Sequence, residues 1–359
     1  MSIILLITLI YVLAVSLIIN SIKRIFTGLL AYPDPAIKIS VIVAAKNEEQ
    51  NISALVNSLK KQSYPEELLE VIIIDDGSTD GTFSKTKSLI DGLDNFSVYK
   101  AKDKKFPGKK GALQYGVERA SYPFILITDA DCQPAEKWIE SFAGKFASGS
   151  DFIFGAAPFF QKKNLVNKIS CFENLRTSML TLSAASFGLP YSAAARSFGF
   201  SRNAFEKLSG YKNTTETLSG DDDLLLREAV KSKMKIDFIA DPTSFVYSNT
   251  VSNFSDYLKQ KARHTSTSLH YLFVHRLLLG SWHLINLFML FSPFLVFISN
   301  NFLILFFVKI TGDILLVSSS KKYFNYSFNF LEIIFLQIVY EIFLIINFFN
   351  AGFRKTEWK

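Results

Sequence analysis

Pro123-Phe-Ile-Leu-Ile-Thr-Asp-Ala-Asp-Cys132 is the stretch from which the fold follows. An apolar run opened by a proline and closed by two carboxylates has the pattern of a buried parallel strand whose C-terminal end opens into a site. In open α/β sheets ligands bind at that end. Asp129 and Asp131 sit two residues apart on the following turn. Hard carboxylate oxygens there suit Mg²⁺ or Mn²⁺ and leave coordination positions for phosphate oxygens. The same pair also suits a solvated turn, or the cap of a helix beginning at Pro134-Ala-Glu-Lys-Trp138. Taken alone, the spacing leaves both readings open.

Working outward, short apolar runs alternate with helical patterns from Ile37 to Ile239, as a doubly wound α/β domain requires. Lys38-Ile-Ser-Val-Ile-Val-Ala-Ala45 reads as the first strand, with Lys46-Asn-Glu-Glu49 as its C-terminal loop. Leu69-Glu-Val-Ile-Ile-Ile-Asp-Asp76 reads as the second, running into Gly77-Ser-Thr-Asp-Gly81. A weaker strand spans about Phe96 to Lys100, and a helix from about Lys109 to Ala120 leads to the Asp129 strand. Three acidic or amide-bearing loops thus follow three strands on one sheet edge, since right-handed crossovers bring those ends together. Asp75 or Asp76 suits hydrogen bonds from a nucleotide's base or ribose, while Gly77 and Gly81 allow tight turning. An ordinary capped turn explains Asp76 to Asp80 equally well, and Glu48 and Glu49 equally suit a solvated first helical turn. In the basic run Lys102 to Lys110, Lys109 or Lys110 is placed at a helix start to meet phosphate, or the run is simply solvated.

The chain's 359 residues leave room for more than this domain. Residues 3 to 19 carry no charge and are long enough to cross a bilayer, and neither a basic segment before them nor a small-residue cleavage site after them marks a removed signal. Lys23 and Arg24 follow, so the positive-inside rule puts the next segment in the cytoplasm. Two cysteines, Cys132 and Cys171, make no disulfide framework, in keeping with a reducing compartment. The net charge of +7 comes without an arginine-rich helix or a nucleic-acid motif, so anionic lipid rather than nucleic acid is the expected counterpart.

The succession Val41-Ile-Val-Ala-Ala-Lys-Asn-Glu-Glu49, Val71-Ile-Ile-Ile-Asp-Asp-Gly-Ser-Thr-Asp80, Gly108-Lys-Lys-Gly-Ala-Leu113 and Thr128-Asp-Ala-Asp131 resembles the family 2 glycosyltransferases of the GT-A fold, a Rossmann-like arrangement. The match in order and spacing covers roughly residues 38 to 140. The resemblance implies that Ala45, Glu48, Asp75, Asp76, Lys109 and Asp129 bind the nucleotide sugar. It likewise implies that Asp129 and Asp131 bind the divalent metal, Mg²⁺ or Mn²⁺. Lys46 departs from the family, which commonly has Tyr or a similar residue there.

Beyond Asp151-Phe-Ile-Phe-Gly155 the sheet is expected to continue, followed by a long helical stretch from about Asn164 to Phe187 whose aromatic and Met residues suit packing. Residues 193 to 202 read as a short strand entering a helix. In Ser219-Gly-Asp-Asp-Asp-Leu-Leu-Leu-Arg227, three consecutive carboxylates open an apolar-periodic helix, more than capping needs. The segment resembles the T-E-D region of membrane-bound family members, which implies Asp221 as general base. Gly220 replaces the usual Glu, leaving Asp222 as an alternative base and Asp223 as the later family Asp. Gln260-Lys-Ala-Arg-His264 resembles the group's Q-x-x-R-W motif, with His264 in place of Trp, and implies acceptor and diphosphate contacts for Gln260, Arg263 and His264.

After Tyr271 the composition turns apolar. Leu277 to Ser299, Phe302 to Ser318 and Phe328 to Phe349 read as membrane segments, and Lys309 and Asp313, four apart, as an inward-facing pair. Three crossings would put the basic end Arg354-Lys-Thr-Glu-Trp-Lys359 outside, so one segment is expected to lie in the interface or re-enter. The sequence therefore predicts an anchor at 1–24 and a cytoplasmic domain at 25–271, with a donor half at 25–150 and an acceptor half at 151–271. A membrane region follows at 272–359, giving a multi-pass protein of the kind found in a bacterial inner membrane. The resemblance implies an inverting, metal-dependent glycosyltransferase taking a nucleotide-diphosphate sugar, UDP foremost, to a lipid or saccharide acceptor. A processive polysaccharide synthase, a non-catalytic scaffold and a transporter are the alternatives. The catalytic carboxylates count against the scaffold, the absence of a P-loop lysine motif against the transporter, and the small number of apolar segments against a polymer channel.

Overall fold

The computed structural model describes residues 3–28 and 36–353. They fall into an α/β unit, built on Leu29–Phe160 and Pro190–Asn249, and a helical unit, built on Met1–Gly28, Gln161–Leu189 and Thr250–Arg354. The basic end at 354–359, used above to count crossings, lies outside the described residues.

Helix α1 (Ile3–Thr27) belongs to the helical unit. The α/β unit opens with β1 (Ile39–Ala45), α2 (Ile52–Lys60), β2 (Leu69–Asp75), α3 (Thr82–Leu89), β3 (Phe96–Lys100), α4 (Gly108–Val117) and β4 (Phe124–Asp129). It continues through β5 (Cys132–Pro134), α5 (Trp138–Ala147) and β6 (Phe152–Gly155). After the helical excursion α6 (Leu165–Ser186), the chain returns as β7 (Phe198–Ser201), α7 (Arg202–Lys207), α8 (Asp223–Lys231), β8 (Ile236–Ile239) and β9 (Val246–Ser248). The main sheet has seven strands in the order β3-β2-β1-β4-β7-β6-β8, and β5 pairs with β9 separately.

Strands β3, β2, β1 and β4 are parallel, as the alternating pattern predicts. Strand β7 departs from it: it pairs antiparallel with both β4 and β6, because the chain re-enters the sheet from the opposite end. Every residue of β1 is buried, which is why it reads as an apolar run broken only by Ser40 and not as an alternation. Leu55, Val56 and Leu59 of α2 and Trp138, Ile139, Phe142 and Phe146 of α5 join one core with Val41, Val43, Val71 and Ile73. Each such side chain contributes about 1.5–3 kcal/mol when fully buried. Helix α4 approaches β1 through Gly116, where a Cβ would stand 2.5 Å from Ile42 Cγ2. That close contact seats the C-terminal part of α4 against β1 and β2.

Register decides what the edge presents. Ala45 pairs with Asp75, Ala44 with Asp129, and Asp75 with Lys100. Three strands therefore deliver carboxylates or turn backbone to one level of the sheet.

The helical unit comprises α1, α6, α9 (Phe254–Ser268), α10 (Phe273–Phe291), α11 (Phe302–Ser320) and α12 (Phe330–Phe353). Four of its helices are long and apolar enough to cross a membrane: Ile3–Thr27, Phe273–Leu295, Phe302–Phe324 and Phe330–Ala351. They carry apolar residues outward and a polar cluster inward. Lys309 Nζ stands 2.5 Å from Asp313 Oδ2 and 3.0 Å from Glu341 Oε1. Arg176 Nη1 is 3.0 Å from Asp313 Oδ1, to which Tyr11 donates its hydroxyl at 3.1 Å. Gln337 Nε2 donates to Glu341 Oε1 at 2.9 Å. Two cations thus meet two carboxylates, tying α6, α11 and α12 by charge, with α1 joined through the Tyr11 hydroxyl. Gly312 lets the Tyr11 ring come this close, since a Cβ there would lie 2.6 Å from Tyr11 Cε1.

Asp313→Ala leaves Arg176 and Lys309 buried around a single carboxylate. We expect it to lower stability by about 3–5 kcal/mol, the usual cost of breaking a buried pair, seen as a fall in the melting temperature in detergent. An unchanged melting temperature would contradict this.

Candidate active site

The first two strand-end loops of the α/β unit brace one another. Asn47, whose φ of 55° is one that Asn tolerates, accepts the Thr79 amide at Oδ1 at 2.8 Å, and its own amide donates to Ser78 Oγ at 3.0 Å. The Gly81 amide donates to Glu49 Oε2 at 2.9 Å, and the Glu48 amide donates to Thr82 Oγ1 at 2.8 Å. Glu48 is buried and accepts Asn51 Nδ2 at 2.7 Å. The loop acids Glu49 and Asp80 thereby act as braces. The Thr82 hydroxyl and amide beside Asp80, opposed by slight desolvation, hold its carboxyl below the usual range.

Behind this brace lie Ala45, Asp75 and Asp76. The Asp76 amide donates to the Ala45 carbonyl at 2.7 Å, and its carboxylate pairs with Lys104. Asp75 is buried, and its Oδ1 has no hydrogen-bond partner among the described residues. An acceptor kept dry without a donor is costly unless a ligand supplies one. A base N–H or a ribose hydroxyl fits that need.

The centre of the site is an ammonium. Lys109, in the first turn of α4, places Nζ 2.7 Å from Asp129 Oδ1 and 2.7 Å from Asp221 Oδ2. Asp129 ends β4 and Asp221 precedes α8, so residues more than ninety positions apart share one cation. Burial alone would lower the Lys109 pKa; the two carboxylates outweigh it and raise it above the ordinary value.

The three adjacent carboxylates divide their work. Asp221 faces Lys109. Asp222 caps α8, accepting the Asp223 amide at 2.6 Å and the Ala195 amide at 2.7 Å. Asp223 accepts Ser192 Oγ at 2.8 Å and the Ala193 amide at 2.9 Å. Two of the three therefore hold the 192–195 segment that leads into β7. Burial, then the charges of Asp223 and Asp221, push the Asp222 carboxyl well above the usual range.

Asp129, Asp131 and Cys132 offer ligand atoms within 4.8 Å of one another. Burial and the neighbouring aspartates push the Cys132 thiol well up, and its soft sulfur suits Mg²⁺ or Mn²⁺ poorly. The two carboxylates remain as a hard oxygen pair, and such a pair fits Mg²⁺ or Mn²⁺.

Gln260, Arg263 and His264 lie on α9, in the helical unit. The α/β unit itself gathers Ala45, Glu48, Asp75, Asp76, Lys109, Asp129, Asp131, Asp221 and Asp222. Residues the sequence reading did not single out also border the site. Tyr211 is fully buried, and the charge of Asp221 adds to burial in raising its hydroxyl. Arg196 donates from Nη1 to Ser248 Oγ at 3.0 Å and lies 4.3 Å from the Phe159 ring centre. Neither carries a motif, so only packing reveals them.

Residues 40–209 match the family profile described as "Glycosyl transferase family 2". Among curated proteins, the chain is 30% identical over 122 residues to "Glycosyltransferase AglE" of Haloferax volcanii, covering 34% of this chain and 40% of that one. It is 33% identical over 127 residues to "Beta-monoglucosyldiacylglycerol synthase" of Nostoc sp., covering 35% of this chain and 24% of that one. The chain thus spans less than half the length of these relatives. The solved mannosyltransferase PcManGT from Pyrobaculum calidifontis, in complex with GDP-Man and Mn²⁺, superposes with a TM-score of 0.57 at 16% identity over 98% of each chain. At that identity the likeness speaks for the fold.

The division of labour among the carboxylates has a pH signature. A carboxyl raised on folding favours the protonated native state, so its contribution is fullest below the unfolded pKa and is lost as pH rises through the folded one. Asp222→Asn does not titrate; urea unfolding should show it at its worst relative to wild type near pH 4 and improving toward pH 8. A constant difference across that range would contradict the assignment.

Proposed function

We propose that this chain, whose residues 40–209 are a Glycosyl transferase family 2 domain, transfers a sugar from a nucleoside diphosphate to a hydroxyl of a lipid or lipid-linked acceptor at the cytoplasmic membrane face. UDP is the donor nucleotide that the family resemblance favours. The observation that carries the reading is the shared ion pair, which sets the proposed base Asp221 and the metal-type carboxylate Asp129 on one ammonium at the C-terminal sheet edge.

The reaction is a single displacement with inversion. The acceptor oxygen forms a bond to the anomeric carbon as the bond from that carbon to the diphosphate breaks, and the electron pair leaves on the nucleoside diphosphate. The acceptor's hydroxyl proton passes to an oxygen of Asp221, the general base. Asp75 takes a hydrogen bond from the nucleotide at its open Oδ1, and Ala45, Glu48 and Asp76 shape the wall around it. Lys109 offsets charge that develops on the leaving group. Asp129 and Asp131 would hold a divalent ion, which when bound would supply further neutralisation of the diphosphate. By resemblance alone, Gln260, Arg263 and His264 are assigned to the acceptor and diphosphate, residues 25–150 to the donor and 151–271 to the acceptor.

A lipid acceptor is supported by the four apolar helices, which bring an acceptor dissolved in the bilayer within the same polypeptide. It is supported too by a relative named for a glucosylated diacylglycerol. The side of the membrane rests on Lys23 and Arg24 just inside the end of α1.

Purified protein incubated with UDP- and GDP-sugars, Mn²⁺ and a membrane lipid extract should yield a lipid gaining one hexose mass. Asp221→Asn should slow that transfer by about 10²–10⁴-fold while donor binding persists. Transfer at the wild-type rate by Asp221→Asn would remove the base assignment.

A further inference from the structure

Lys109 pairs with both the metal-type carboxylate Asp129 and the proposed base Asp221. Its Nζ stands 2.7 Å from Asp129 Oδ1, an oxygen of the carboxylate assigned to the metal. The Lys109 side chain is 7% exposed and that of Asp129 is 32% exposed, so the ammonium is the more deeply buried of the two charges. The backbone limits where Lys109 can go: it follows Pro107 and Gly108, whose φ is 63°, in the first turn of α4. The next residue cannot replace it, because Lys110 Nζ is engaged by the Thr214 carbonyl and by the Thr217 carbonyl at 2.9 Å. Arg196, another cation of this region, is turned to Ser248 and the Ala157 carbonyl. Without Lys109, the Asp129 and Asp221 carboxylates, each 2.7 Å from its Nζ, would face each other as like charges with no cation between them.

We propose that Lys109 is an exchangeable stand-in cation: in the metal-free protein its ammonium holds Asp129 and Asp221 together, and the divalent ion must displace it from Asp129 to bind. The inference rests on the metal reading given under the proposed function. On loading, a doubly charged ion at Asp129 repels the ammonium, which keeps its pair with Asp221 and turns its remaining donors toward the incoming diphosphate. Lys109 therefore couples the occupancy of the metal site to the surroundings of the base. Asp221 strengthens the ion's hand by holding part of the ammonium's charge.

The test is direct binding of Mn²⁺ to the full-length, detergent-solubilised protein by titration calorimetry, without donor or turnover. Asp129→Asn should abolish the binding. Lys109→Met and Lys109→Gln should each bind Mn²⁺ at least about tenfold tighter than wild type, since a competing charge has gone. Asp221→Asn should bind it more weakly, because the ammonium then serves Asp129 alone, and the loss should be smaller when Lys109 is already Met. Equal or weaker binding by both Lys109 variants, with Asp129-dependent binding in wild type, overturns the stand-in role and leaves the metal assignment intact. Full additivity of Lys109→Met and Asp221→Asn also overturns it, reducing Lys109 to a remote charge. If no variant binds Mn²⁺ through Asp129, the metal assignment itself falls and this inference with it.

Discussion

A single ammonium, 2.7 Å from Asp129 and 2.7 Å from Asp221, holds the working edge of the α/β unit in shape. The two acids come from distant parts of the chain, and the sheet's register delivers only one of them. Asp129 is fixed by β4, whose parallel pairing with β1 sets its level beside Ala44 and Ala45. Asp221 is fixed by the helix start that Asp222 caps. Between them the charge of Lys109 turns a repulsion into a bridge. A buried lysine is costly by itself, and only paired carboxylates make it tolerable.

Around that bridge the acids are specialised by their partners and not by their type. Glu49 and Asp80 brace loops, Asp222 and Asp223 hold backbone amides, and Asp76 pairs with Lys104. Asp75, by contrast, keeps an oxygen buried and unmet. A carboxylate whose lone pairs are used by backbone is scaffolding; one that faces a cation or an unmet need is available for chemistry. The same logic governs the helical unit, where Lys309, Asp313, Arg176 and Glu341 neutralise one another inside an apolar bundle.

The sheet was legible because β1, β2 and β4 are largely buried on both faces, so each appears as a nearly continuous apolar run, interrupted only by Ser40 in β1 and Glu70 in β2 and followed by polar residues. The site's strand-end residues followed from that, since right-handed crossovers leave little freedom about which edge they share. The antiparallel entry of β7 was not legible: Phe198-Gly-Phe-Ser201 is four residues long and carries no mark of direction. Asp221 and Asp222 could not be separated by spacing, because adjacent residues at a helix start exchange roles with a small change in the cap. Tyr211 and Arg196 lack a pattern of their own and become visible only where packing places them. The pairing of Lys309 with Asp313 was readable from helical spacing, whereas Arg176 and Glu341 join them through contacts that no local period encodes.

The central claim is that the metal-type carboxylates and the base belong to one site. Crystals grown with Mn²⁺ and a nucleoside diphosphate, measured at the manganese absorption edge, address it most directly. The account predicts one anomalous peak within coordination distance of Asp129 and Asp131, with the diphosphate on its open side and the Asp221 carboxylate facing the same cavity. A peak elsewhere, or a diphosphate bound with Asp221 turned away from it, would contradict the account.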